Sequence, residues 1–284
     1  MRDSFSKQVS VFEGYLGIKK GISGQYKKWD DLVEVFERRN LFAHADGVVN
    51  GIYLNNVENS DKNIGDRLSV GSKYFSRSII NMYDFGAKLV FVAWRRQCPD
   101  DLEQIDQILG EFCYDLVEAR QYELAEQLLL FSMMEAKPIK MDRQMMNVVN
   151  LGNCYRLQGD EKKSKEVLDS VDWSAARDEF QICVSAIKGD VLHVTSLMPR
   201  ISEDTISAHN YESWPAFYRV REDERFAKSF EEVFGRPFSP AAEDRHSFMQ
   251  LMSLVHEDEE RAQLGIGEVA LPVEDSKSQN STLN

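Results

Sequence analysis

One stretch of the chain, Phe36-Glu37-Arg38-Arg39-Asn40-Leu41-Phe42-Ala43-His44-Ala45-Asp46-Gly47, sets an arginine, an amide and a histidine within six residues. Together these side chains suit reaction at a phosphate. Imidazole gives or takes a proton near neutral pH, and the planar guanidinium fork holds negative charge on oxygen. Asn40 carries both a donor and an acceptor, so it can orient His44 or hold a phosphate oxygen. Arg38 stands behind Arg39 as a backup cation, although surface charge is its default reading. His193, His209, His246 and His256 have no such company and read as ordinary surface or core residues. The acidic residues form no paired-carboxylate or metal-ligand pattern, so no metal or other cofactor is expected.

The element that must position Arg39, Asn40 and His44 is an amphipathic helix from about Trp29 to Ala45. Leu32, Val33, Val35, Phe36, Leu41 and Phe42 recur at roughly helical spacing, so one stripe can bury. Asp30 and Asp31 suit its positive N-terminal end. Gly47, with Asp46 before it, is a stop, because glycine closes helices in the left-handed conformation. His44 then lies in or near the last turn, where the partial negative charge of the helix end favours imidazolium. Five residues at about 100° each set Arg39 and His44 roughly 140° apart round an ideal helix, whereas Asn40 and His44 share a face. Three arrangements meet this. Arg39 wraps round, or the helix ends before His44, or Arg39 serves the other half of a two-chain site.

Around that helix, Phe5 to Leu16 reads as a first helix, and Gly17, Gly21 and Gly24 punctuate a loop. Lys19, Lys20, Lys27 and Lys28 cluster there, and Lys27, Lys28 and Arg38 are the candidate contacts to a phosphate backbone. The glycine spacing fits neither phosphate-binding fingerprint, and no strand precedes it. Residues 46–66 are polar and turn-rich, without periodicity. A long helical pattern returns from about Ser69 to Arg96 and stops before Pro99, which sets a domain boundary near Cys98–Asp101.

The second half is built differently. Asn150-Leu151-Gly152-Asn153-Cys154-Tyr155-Arg156-Leu157-Gln158-Gly159-Asp160 leads on to Ser164 and Leu168. This resembles the tetratricopeptide spacing, in which Gly152 and Ser164 let two helices approach and Gly159 makes the turn. Weaker copies run through Leu116, Ala119, Tyr122, Ala125 and Leu129, and from Phe180 through Gly189-Asp190 to Met198. Residues 211–235 read as a capping helix and 242–254 as a further amphipathic piece. The acidic, polar residues 257–284 read as a tail, with disorder expected at least from Pro272.

Arg39-Asn40-x-x-x-His44, with Glu37-Arg38 before it and Asp46-Gly47-Val48-Val49-Asn50 through Tyr53-Leu54 after it, resembles the Arg-x4–6-His signature of HEPN domains. The run from Gly65 through Val70 into a long helix, and Trp94-Arg95-Arg96 before a proline, is similar to one branch of that family. The resemblance implies a small helical domain that dimerises with its two motifs facing one another. It also implies metal-independent endoribonuclease activity, in a toxin–antitoxin or antiviral-defence setting. RNA carries its own nucleophile, the 2′-hydroxyl, so cleavage needs proton movement and charge stabilisation rather than a metal. A two-fold dimer would bring two histidines and two arginines to a single cleft.

Charge bounds the partners. The net charge is −13, but residues 1–100 hold 15 Lys+Arg against 12 Asp+Glu, and residues 101–284 hold 19 against 35. Affinity for a nucleic-acid backbone must therefore come from the N-terminal part. No apolar run approaches a membrane span, and the N-terminus lacks a signal-peptide core. Cys98, Cys113, Cys154 and Cys183 are far apart in sequence and form no Cys-x-x-Cys pair, which suits buried thiols in a cytoplasmic protein. The expectation is an all-α chain: a HEPN-like bundle over 1–98, tetratricopeptide-like hairpins over 101–256 and the tail. The expected partners are an RNA substrate, a second copy of the chain, and a regulatory or antitoxin protein on the hairpins. The alternative is a catalytically silent dimeric scaffold that binds a protein partner.

Overall fold

The computed structural model describes residues 4–18, 22–58 and 60–240. Lys19, Lys20 and Gly21, the amphipathic piece at 242–254 and the acidic tail lie outside the described residues. The architecture is all-α. Among the described residues the extended pairing is one isolated antiparallel bridge between Val48 and Arg67.

Helix α1 (Phe5–Leu16) starts where the Ser4 hydroxyl accepts the Lys7 N–H, and it ends at Gly17 in the left-handed conformation. After the short α2 (Ile22–Gln25), α3 (Trp29–His44) carries Asp30 and Asp31 in its first turn. Residues 46–66 are not irregular throughout, as their polarity suggests. Asn50 caps a short helix, α4 (Gly51–Asn56), by accepting the Tyr53 N–H at 3.0 Å. A single capped turn and a half leaves no readable period, so its signal is the cap alone. Helix α5 (Ser72–Gln97) is the longest, and a short 3-10 turn (Pro99–Asp101) follows it.

Three helical hairpins come next: α6 (Leu102–Glu118) with α7 (Tyr122–Phe131), α8 (Met141–Leu157) with α9 (Glu161–Leu168), and α10 (Asp178–Lys188) with α11 (Val191–Leu197). Their turns repeat one device. The N–H groups of Gln121, Asp160 and Asp190 reach back to the carbonyls of Leu116, Tyr155 and Ser185, each at 2.8–2.9 Å. The residue before each, Arg120, Gly159 or Gly189, has a positive φ, which makes the turn a Schellman closure. Asp160 and Asp190 then cap the following helix with their side chains. At Gly152 a Cβ would lie 2.6 Å from Leu168, so the α8–α9 approach requires glycine there. Helices α12 (Ala208–Ser213) and α13 (Glu224–Phe234) close the array, with Phe226 and Phe230 buried beside Tyr211 and Phe217.

The helix break near residue 99 does not divide the core. Phe85 packs with Val9 and Leu32, while Phe91, on the same helix, belongs to the cluster of Ile105, Leu109 and Leu128. A 26-residue helix is about 39 Å long and can serve two cores along its length. Arg95 fastens it further by pairing with buried Asp106 and donating to the Ala136 carbonyl at 2.8 Å.

Candidate functional site

Helix α3 continues through His44, so the arrangement in which it ends earlier is ruled out. Its last turn is held from inside. Leu41 is 3% exposed, in a cluster with Val49, Tyr53, Val57 and Leu68, and its carbonyl accepts from the N–H groups of Ala45 and Gly47. Asp46 and Gly47 both take positive φ, 51° and 72°, which turns the chain sharply away. Phe42, expected on the buried stripe, is instead 45% exposed. Its ring stands where a Cβ on Gly47 would be, at 3.0 Å, so the helix exit and not the core receives it.

Arg39 and His44 are exposed and Asn40 is half-buried. Arg39 donates from Nη1 to Asn40 Oδ1 at 3.3 Å, which draws the guanidinium toward the face that Asn40 shares with His44. Among the described residues, no group hydrogen-bonds or ion-pairs with the His44 side chain. The free end of α3 therefore offers an imidazole, an amide and a guanidinium to solvent.

Arg38 does not join them. Its Nε donates to Glu34 at 2.6 Å, its Nη1 to the Ser69 carbonyl at 2.8 Å, and its plane lies 4.1 Å from the centre of the Tyr74 ring. Glu34 also accepts from the Tyr53 hydroxyl at 2.9 Å and the Tyr74 hydroxyl at 2.6 Å. Burial works against the Arg38 cation, but the bond to Glu34 more than offsets it, and the pKa is raised. Burial, then the hydrogen bond to Glu34, raises both tyrosines as well. This knot joins α3, α4 and α5, and it keeps Arg38 for the fold. Beside it, buried Glu37 accepts from Asn56 Nδ2 at 3.0 Å.

Lys27 and Lys28 sit at the other end of α3, about 24 Å from His44 along the helix. Lys28 pairs with Glu123 at 3.3 Å. The three expected backbone contacts thus do not converge on His44. Sequence reasoning missed a cation at the exit of α3. The Val48–Arg67 bridge brings Arg67 to the α3 exit, where it pairs with Asp46. Only the pairing of residues 47–49 with 65–68 reveals this, and that segment has no period to announce it.

Among the described residues, no group of three or more His, Cys, Asp or Glu side chains is placed to hold a metal, and no helix is long and apolar enough to cross a membrane. Comparison with family models, with curated proteins and with solved structures finds no match for this chain.

Proposed function

We propose that the chain is a metal-independent endoribonuclease of HEPN type, acting as a homodimer through Arg39, Asn40 and His44. The observation that carries this reading is the state of the α3 end: among the described residues, His44 is exposed without a protein partner and Arg39 bonds only to the neighbouring Asn40. Side chains serving the fold are satisfied within it, as Arg38 is. In the proposed reaction the 2′-oxygen bonds to phosphorus as the 5′-oxygen leaves; the two facing His44 side chains take the 2′ proton and give one to the 5′-oxygen, and Arg39 neutralises charge on the phosphorane oxygens. Homodimerisation is supported by where apolar surface remains. Among the described residues, ten of the fourteen exposed large hydrophobic side chains fall within residues 1–90, among them Tyr15, Ile52 and Val90. A toxin or antiviral-defence setting, with a regulator on the hairpins, belongs to the same proposal.

The test compares wild type with His44→Ala and Arg39→Ala. Each is induced in a bacterial host while growth and RNA integrity are followed, then assayed as purified protein with chelator present. Loss of toxicity and of chelator-resistant cleavage in both folded variants is the expected result. Equal cleavage by all three sinks the assignment. The second reading, a non-catalytic scaffold, draws on the acidic character of residues 101–284, which would repel RNA. It predicts no RNA binding at all, and capture of a protein partner through the hairpins.

A further inference from the structure

We infer that Arg67 binds a phosphate flanking the scissile one and that Asp46 is its competitive gate. The inference rests on the endoribonuclease reading and adds a residue and a control to it.

The backbone sets the placement. The Val49 N–H donates to the Asp66 carbonyl at 2.8 Å, and the Leu68 N–H donates to the Gly47 carbonyl at 2.9 Å. Arg67 is therefore clamped on both sides against the residues that leave α3. Asp46 lies two residues past His44, within about 7 Å along the backbone. It is held there by the Val48 N–H to Ala45 carbonyl bond at 2.8 Å and by its own left-handed φ. Main-chain bonds on both sides thus set Arg67 and Asp46 at the exit of α3, the helix that ends on His44.

The side chains, by contrast, are free to exchange. The Arg67 and Asp46 side chains are 64% and 85% exposed, so their pair contributes little to stability and is readily broken by another anion. A phosphodiester offers two oxygens to the guanidinium fork, the same bidentate geometry that a carboxylate provides. Arg38 is tied to Glu34 and Ser69, and Lys27 and Lys28 sit at the far end of α3. Arg67 is thus the cation placed to receive a phosphate flanking the scissile one. Asp46 occupies it while no RNA is bound.

A purely structural clasp and a gated phosphate site predict opposite signs. The experiment measures binding of the full chain to a single-stranded 2′-O-methyl RNA, which cannot be cut, by fluorescence anisotropy across a salt series. Arg67→Ala should weaken binding roughly three- to tenfold, and should reduce the salt slope by about 0.7, the value of one phosphate contact on a single strand. Arg67→Lys should keep the slope. Asp46→Asn should tighten binding severalfold by removing the competing carboxylate, and Asp46→Asn with Arg67→Ala should match Arg67→Ala alone. Circular dichroism of each variant checks the fold. Unchanged affinity and slope in Arg67→Ala, with wild type binding RNA, overturns the inference and leaves the nuclease reading standing. So does Asp46→Asn weakening binding as Arg67→Ala does. Absence of RNA binding by wild type overturns both.

Discussion

Arg38 and Arg39 are adjacent and chemically identical, yet the fold ties down the first and leaves the second exposed. Arg38 closes a knot around Glu34, which accepts from Arg38, Tyr53 and Tyr74. Glu34→Ala leaves two phenols without their acceptor and strips half-buried Arg38 of its carboxylate, and should cost about 2–3 kcal/mol by urea denaturation. Arg38→Ala should likewise lower stability, whereas Arg39→Ala should leave the unfolding free energy within about 0.5 kcal/mol of wild type and, under the proposed nuclease reading, act on RNA cleavage alone. The cysteines separate in the same way. Burial pushes the thiols of Cys113, Cys154 and Cys183 up to about 12, while Cys98 is only partly covered. Iodoacetamide on the native protein should label Cys98 first and reach the other three on the timescale of unfolding, as read by mass spectrometry.

At the scale of elements, two glycines of one hairpin are required for different reasons. Gly159 has φ +83° with open space around it, so Gly159→Ala should cost about 1–2 kcal/mol through backbone strain alone. Gly152 is helical, but a Cβ there would meet Leu168, which is 1% exposed and has nowhere to go. Gly152→Ala should cost about 2–3 kcal/mol, and Leu168→Ala in the same chain should recover part of that loss. Thermal denaturation of the two singles and the double tests the distinction. Non-additivity for Gly152 with Leu168, and additivity for Gly159 with Leu168, is the expected outcome.

At the scale of the molecule, α5 makes one body of two apolar cores. Residues 1–98 expressed alone should melt well below the full chain and expose apolar surface to a hydrophobic dye, because Phe91 and Trp94 lose the helices that cover them. The far end of the structure is fastened electrostatically. Glu212 accepts from Arg236 at 2.6 and 2.9 Å, and that bond holds its carboxyl below the ordinary value. A carboxyl whose pKa is lowered by folding stabilises fully above its unfolded value, near 4.3, and the contribution fades as pH falls through the lowered value. Glu212→Gln should therefore narrow the stability difference between pH 6 and pH 3, measured by urea titration at both.

The local signals in the chain carried the helical frame. The extent of α3, the glycine at its exit, the bounds of α1 and the Gly159 turn are short-range matters, set by residues within a few positions of one another, and apart from Phe42, which leaves the buried stripe, they stand in the structure as the residues predict. The proposed Arg39, Asn40 and His44 were legible for the same reason, since one helix carries all three. Short range also explains the misses. The first hairpin turns on Arg120 where the others use glycine, so its signal was faint. Arg38 reads as surface charge until Glu34, Tyr53, Ser69 and Tyr74 close around it. The boundary near residue 98 marks a break in the helix, yet the core crosses it, because burial depends on which helices meet and not on where one ends. Arg67 lies twenty-three residues from His44 in sequence, and only backbone pairing between segments brings it to the α3 exit. Helical period and turn chemistry are written in neighbours along the chain. Which charges are tied down and which stay available is decided by neighbours in space.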